Sequence, residues 1–171
     1  GTFDCGVLGT GEERKAYAAL AEKLEIAAKR SKNFGYMFES YAALARVLSL
    51  KYDLGALTRE AYERGDKSAL AALLPDYEKT LANLEKFAAV YEKQWMKENK
   101  PHGFDVQDIR LGGLIRRTKS CTRRLKAYLN GELGAIEELE EATVDFTTGG
   151  EPQRNGAHCN SYGTIVTANC L

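Results

Sequence analysis

Four stretches of the chain place apolar residues three to four positions apart, with polar residues between them, which is the pattern of amphipathic helices. The first covers residues 11–31 and the second about residues 36–64. The second stretch is apolar on two sides, which predicts that its helix is central. A third stretch begins near Lys67, and because proline is accepted only in the first turn of a helix, Pro75 predicts a break after Leu74.

The clearest helical signal lies in this third stretch, where apolar residues alternate steps of four and three. Such spacing indicates a seam that packs along its length against near-antiparallel neighbours. The seam consists of Leu70, Leu74, Tyr77, Leu81, Leu84, Ala88, Tyr91 and Trp95. We expect the Trp95 ring to be buried, because it continues this seam.

A fourth helix follows a break at residues 99–103, and Asp105 is predicted to be its N-cap. Cys121 lies on its apolar side, where we expect a packed thiol. The remaining surface of this helix is basic, with Arg110, Arg116, Arg117, Lys119, Arg123, Arg124 and Lys126. A basic stripe can bind phosphate, but this one has no interleaved aromatic residues. We therefore expect it to pair with acidic residues such as Glu137, Glu138, Glu140 and Glu141 on a short following helix.

The pattern changes after Glu141. Val144 and Phe146 alternate with polar residues, residues 147–161 are rich in Gly, Pro and Asn, and residues 164–171 favour β-structure. We therefore predict a mainly α protein, a helical bundle of four to five main helices with a short C-terminal β element.

Charge and composition exclude several classes of function. The 171 residues include 24 Lys+Arg and 24 Asp+Glu, so the net charge is zero, which argues against a dedicated nucleic-acid binder. No apolar run is long enough for a membrane span, so we expect no membrane partner. The chain opens without an initiator methionine and without a secretion signal. We therefore expect a piece of a longer, cytoplasmic protein.

The sequence offers little that could support chemistry. Its cysteines match neither a zinc pattern nor a dense disulfide framework, and we interpret Cys5, Cys121, Cys159 and Cys170 as reduced thiols. The two histidines, His102 and His158, could join Cys159 in a metal site. Adjacent residues such as His158 and Cys159 rarely bind one ion, however, and no second ligand pair is visible, so we predict no metal site. Nucleotide, esterase and zinc-protease motifs are absent from the sequence. We predict no cofactor and no catalytic residue.

Residues 94–114 carry a long and specific resemblance; they read QWMKENKPHGFDVQDIRLGGL. This string closely resembles the C-terminal region of a bacterial branch of family 20 glycoside hydrolases, the β-N-acetylhexosaminidases. Residues 1–5 resemble the seam just after that family's catalytic barrel, and residues 160–169 resemble its extreme C-terminus. The resemblance implies a seam with the preceding barrel at residues 1–10, a helical bundle at residues 11–141 and a strand-loop-strand tail at residues 142–171.

The resemblance also implies what this chain lacks. The family's barrel uses an adjacent Asp-Glu pair, the Glu as general acid and the Asp to position the substrate's acetamido group. No Asp-Glu dipeptide occurs in this sequence. We therefore expect a non-catalytic accessory domain that supports the barrel of the same polypeptide, associates with itself, or does both. An independent helical module for protein–protein interaction is the alternative, and a small enzyme of unrecognised type is a third.

The connection after the third helix, residues 99–104, contains Lys, Pro, His, Gly and Phe, whereas a simple helix connection would need only Gly and one or two polar residues. We hypothesise that it docks on the barrel or on a second copy of the chain, with a homodimer favoured because two-fold dimers are common. The candidate docking residues are Asn99, Lys100, His102, Phe104 and Asp105. The alternative is structural: Pro101 and Gly103 shape a tight turn, and Phe104 staples the start of the next helix.

Overall fold

The structure is a computed structural model and describes residues 9–141. In this range the chain forms four long helices and one short helix: α1 (Glu12–Arg30), α2 (Gly35–Glu63), α3 (Lys67–Glu98), α4 (Phe104–Leu129) and α5 (Glu137–Glu140). These bounds confirm the predicted mainly helical architecture, and no strand occurs between residues 9 and 141. The predicted β element and the tail at residues 142–171 lie outside the described residues.

The helices are arranged in chain order. The backbone of α1 lies against α2, α2 against α3, and α3 against α4, while α5 returns to α2. Among the described elements no other pair of helices brings its Cα atoms within 8 Å. The α2 helix therefore touches three others, as its two apolar sides predict.

The predicted break at Leu74 is wrong, because α3 runs without interruption from Lys67 to Glu98. Proline inside a helix leaves the carbonyl four residues earlier without its amide partner. Here that carbonyl belongs to Ala71, and both Ala71 and Pro75 are exposed, so water can reach it. The seam residues Leu70 and Tyr77, on either side of the proline, are fully buried, and their packing keeps the helix continuous.

The predicted start of α4 also needs correction. Asp105 is not the N-cap: the helix begins at Phe104, and the N-cap is Gly103 in the left-handed conformation, with no side-chain cap hydrogen bond. Asp105 instead lies in the first turn, where its negative charge suits the positive end of the helix. The start shifts because Phe104 is buried against aromatic residues of α3.

The main core lies where the second half of α2, the first half of α3, the second half of α4 and α5 meet, and we call this the packed end. Its buried residues are Leu54, Ala61, Leu70, Tyr77, Cys121, Leu125, Ile136 and Leu139. Cys121 is fully buried, which confirms the prediction of a packed thiol. The Tyr77 hydroxyl lies 2.8 Å from Thr58 Oγ1, which itself donates to the carbonyl oxygen of Leu54. Tyr77 must therefore be the donor to Thr58.

Ion pairs confirm the expected role of the basic stripe on α4. Lys119 Nζ lies 2.8 Å from Glu85 and Lys126 Nζ lies 2.7 Å from Glu78, so both link α4 to α3. Two arginines contact the acidic residues of the short helix: Arg117 pairs with Glu138, and Arg124 pairs with Glu137. The stripe thus holds neighbouring helices together.

A buried charge cluster that the sequence does not reveal fixes the first turn of α1. Arg14 pairs with Asp53 of α2, whose side chain is only 5% exposed, and with Asp76 of α3 at 2.7 Å. Burial alone would lower the pKa of Arg14, but the hydrogen bonds that Arg14 donates to Asp76 and Asp53 outweigh it and raise that pKa. Arg14 is therefore a fixed positive charge that joins three helices.

Candidate docking surface

The connection between α3 and α4 contains the residues that the sequence identifies as a docking site. Asn99, Lys100 and His102 are exposed, and Asp105 is half-buried. Phe104 is only 5% exposed. The structure therefore brings three of the five candidates together at the surface and places Phe104 in the interior.

Hydrogen bonds to its own ends fix the backbone of this loop. The Trp95 indole Nε1 donates to the carbonyl oxygen of Lys100 at 2.9 Å, and the Phe104 amide donates to the carbonyl oxygen of Pro101 at 3.1 Å. Gly103 has a φ of 88°, a conformation that a residue with a Cβ rarely adopts. These contacts form the tight turn of the structural alternative. They involve none of the loop's polar side chains, which in the described part of the chain remain available for a partner.

A cluster of aromatic rings at the end of α3 and the start of α4 packs beside the loop. The rings of Tyr91 and Trp95 lie 6.2 Å apart between centroids, and both contact Phe104, at 6.3 Å and 5.7 Å. Phe87 extends the cluster by stacking on Tyr91 at 5.6 Å. Trp95 is half-buried rather than buried, which corrects the sequence expectation. The reason is that α3 ends three residues later, so no further turn of this helix covers the indole beyond its contacts with Tyr91, Phe104 and the loop.

Tyr36 joins the start of α2 to the end of α3 beside this loop. Its hydroxyl donates to Glu98 Oε1 at 2.9 Å, and Lys97 Nζ lies 3.7 Å from the centre of its ring. The hydrogen bond to Glu98 raises the pKa of Tyr36. Sequence analysis missed this contact, because the pair is far apart in the chain and Tyr36 belongs to no motif.

Large apolar side chains are exposed at the same end of the bundle. We call this the loop end; it comprises the last turn of α3, the loop, and the first turns of α2 and α4. Four such side chains lie here: Phe34 (57% exposed), Tyr41 (51%), Met96 (43%) and Ile109 (41%). Tyr41 belongs to an apolar stripe of α2, and the periodicity that places it there does not reveal its exposure. Aromatic and methionine side chains are enriched at protein interfaces.

A groove of about 400 Å³ lies between α1, α2 and α3, with Ala42 and Ala43 on its floor. The Arg46 guanidinium donates two hydrogen bonds of 3.0 Å to Glu25 across it. These hydrogen bonds are the main reason that the pKa of Glu25 is lowered, and Lys86 and Lys29 lower it further. Two of the charged residues that line this groove, Glu25 and Arg46, thus pair with each other and link α1 to α2.

The described residues contain neither a metal-binding cluster nor a helix that could span a membrane. Between residues 9 and 141 no group of three or more His, Cys, Asp or Glu side chains is placed to hold a metal ion. In the same range no helix combines the length and the apolar character that crossing a bilayer requires. The described surface does carry exposed large apolar side chains, at the loop end and on α1, where Leu20 is 44% and Ile26 is 49% exposed.

Fold and surface together define a helical domain with exposed apolar side chains at its loop end. The family model described as the Glycoside Hydrolase 20C C-terminal domain matches residues 1–158, so the chain belongs to this family. This is a non-catalytic domain of hexosaminidase-type enzymes. The match confirms the resemblance found in residues 94–114. No curated protein matches the chain.

Proposed function

We propose that this chain is the accessory domain of an exo-β-N-acetylhexosaminidase, and that its loop end docks on the catalytic barrel of the same polypeptide. The observation that carries the proposal is the family match over residues 1–158. The arrangement of the loop end adds to it, since Lys100 and His102 are exposed beside several exposed apolar side chains.

The size of the loop end favours a domain of the same polypeptide as its partner. A stable complex of separate proteins buries about 800 Å² on each side, whereas a few scattered side chains cover less. Two domains on one chain need less contact, because the linker keeps the effective concentration high. Interfaces between domains are also comparatively polar, as the mixture of Lys100, His102 and Met96 would make this one.

The first test concerns catalysis. We expect the purified 171-residue chain to show no hydrolysis of a chromogenic N-acetylglucosaminide, because it lacks the family's Asp-Glu pair. Turnover by the pure chain that disappears when one of its own carboxylates is replaced would refute the accessory role.

The second test concerns docking, in the full-length enzyme that contains this domain. Phe34→Ser with Met96→Ser, and separately Lys100→Ala with His102→Ala, should leave the isolated chain within about 0.5 kcal/mol of wild type, because these side chains are exposed. In the full-length enzyme both variants should separate the unfolding of the helical domain from that of the barrel in scanning calorimetry. Leu20→Ser is the matched control, since Leu20 is 44% exposed but lies on α1. Unchanged calorimetry of both variants, or unfolding of the isolated chain, would contradict docking at the loop end.

A further inference from the structure

Two consecutive glycines, Gly112 and Gly113, lie inside α4 and are exposed. A Cβ added at either position would meet no heavy atom within 4 Å apart from the backbone of its own helix, and neither glycine has a positive φ. Neither packing nor backbone conformation among the described residues therefore requires glycine here. Gly55 in the middle of α2 differs, because it is buried and its small size can serve helix packing.

Glycine weakens the interior of a helix, because it loses more backbone freedom on folding than any other residue. Relative to alanine, each glycine lowers the equilibrium constant for helix formation about fivefold. Sharp bends in helices occur at a few kinds of site, and pairs of Gly or Ser are one of them. Gly112 and Gly113 together are therefore the point at which we expect α4 to bend.

The glycine pair lies between two parts of α4 that are held in different ways. Residues 105–117 include no buried residue. On the N-terminal side Phe104 is buried against aromatic residues of α3. On the C-terminal side Thr118, Cys121 and Leu125 are fully buried. We call residues 104–111 the arm; its anchor at the loop end is separate from the core that holds the rest of α4.

The arrangement of the helices leaves room for the arm to move. Among the described helices the backbone of α4 lies only against α3, so an arm that bends away from α3 meets no other helix. Residues 85–98 of α3 also include no buried residue, but they contain no glycine, so we expect α4 to bend and α3 to stay straight. Ion pairs of Lys119 and Lys126 with α3 hold the C-terminal half of α4 in place.

From these observations we propose that Gly112 and Gly113 form a hinge in α4. About this hinge the arm swings away from α3 and draws the loop at residues 99–103 with it, while the C-terminal half of α4 stays in the core. The hinge gives the loop end a second orientation. The proposal does not rest on docking of the loop end, because it concerns a motion within this chain alone.

Trp95, the single tryptophan of the chain, reports on this motion. Its ring centroid lies 5.7 Å from that of Phe104, and its Nε1–H donates to the carbonyl oxygen of Lys100 at 2.9 Å. Both partners belong to the part that moves, so a swing of the arm exposes the indole N–H to exchange with solvent. An opening confined to the backbone around the glycines, with Phe104 still in place, leaves the indole N–H protected.

The test is hydrogen exchange, followed by NMR, in the 171-residue chain and in its double variant Gly112→Ala with Gly113→Ala. In the wild type the amides of residues 109–117 should be less protected than those of residues 121–128, because they open with the hinge. In the double variant these amides and the Trp95 indole N–H should both become about tenfold or more better protected, because alanine favours the helix. Damage to the fold cannot produce such a gain.

Gly134→Ala is the matched control. Gly134 is also exposed, has no positive φ and has open space around an added Cβ, but it lies outside α4. This variant should exchange as the wild type does. The proposal is overturned if residues 109–117 of the wild type are protected as strongly as residues 121–128, or if the double variant protects the amides without the Trp95 indole. Equal gains in Gly134→Ala would also overturn it.

Discussion

The packed end and the loop end of this bundle are built on different principles. At the packed end, aliphatic side chains such as Leu70 and Leu125 are fully buried between three long helices. At the loop end, the aromatic rings around Trp95 are half-buried, and large apolar side chains lie at the surface. With the loop end docked as proposed, stability and contact with a partner are assigned to opposite ends of the same helices. Substitutions at the two ends should therefore differ in kind as well as in size.

The largest loss of stability is expected at the packed end. Leu125→Ala removes a fully buried side chain from the core and should lower the free energy of unfolding by about 2–5 kcal/mol, because it leaves a cavity. The midpoint of urea denaturation measures the change. A loss below about 1 kcal/mol would mean that this end collapses readily around the gap.

Two buried threonines test the contribution of a buried hydrogen bond to the stability of the packed end. Thr58→Val removes the acceptor of the Tyr77 hydroxyl and should cost about 1–3 kcal/mol, because that hydroxyl is buried. Thr80→Val is the matched control, since Thr80 is also fully buried and its hydroxyl has no hydrogen-bond partner in the described part of the chain. It should be neutral or slightly stabilising in the same denaturation experiment. Equal losses in the two variants would contradict the assigned hydrogen bond.

Removal of Trp95 at the loop end should cost less stability than removal of Leu125 at the packed end, although Trp95 is the larger side chain. Trp95→Ala should cost about 1–2 kcal/mol, below the loss typical of a buried aromatic residue, because the ring is half-covered. Trp95→Phe keeps the aromatic contact but loses the hydrogen bond to the Lys100 carbonyl, so it separates the two contributions. A loss for Trp95→Ala as large as that for Leu125→Ala would remove the distinction between the two ends.

The smallest effect is expected at the Glu25–Arg46 pair, which belongs to neither end. Its hydrogen bonds lower the pKa of Glu25 below the model-compound value of 4.5, so the folded protein holds this proton less tightly than the unfolded chain. The stabilisation is therefore present above the unfolded pKa and is lost as the pH falls through the lowered folded pKa. Because both side chains are more than one-third exposed, it should amount to a few tenths of a kcal/mol.

The measurement is the free energy of unfolding of wild type and Glu25→Gln as a function of pH. The two proteins should differ slightly at neutral pH and converge in acid. A difference that does not depend on pH would show that the carboxylate charge plays no part. Glu92→Gln is a suitable control, since this acidic side chain of α3 is exposed and makes no hydrogen bond among residues 9–141.

The apolar seam of α3 was the reliable guide to the fold, because burial of a long stripe depends on periodicity, which the sequence displays. Pro75 misled the prediction, since its cost depends on whether water can reach the Ala71 carbonyl, and that is a property of the folded surface. Asp105 misled it for a related reason: the burial of Phe104 decides where α4 begins.

The candidate docking surface was predictable only in part. The sequence identified the loop, and the structure confirms that Asn99, Lys100 and His102 are exposed. The sequence could not reveal that Phe34 and Met96 lie at the same end of the bundle, because their location there follows from the antiparallel arrangement of α2 and α3. The contact of Tyr36 with Glu98 was hidden for the same reason. The topology of the fold decides which residues that are distant in the chain become neighbours, and local sequence patterns do not encode that topology.

The chain-order arrangement of the helices has a consequence for how the domain folds. Because the backbone of each long helix meets the next one in sequence, most native contacts close short loops, and their entropic cost is small. Folding can therefore start at any adjacent helix pair and spread outward, with rates typical of proteins that have low contact order. Opening should proceed in the reverse direction: α1, which borders a single helix, would exchange its amide hydrogens before α2 and α3 do.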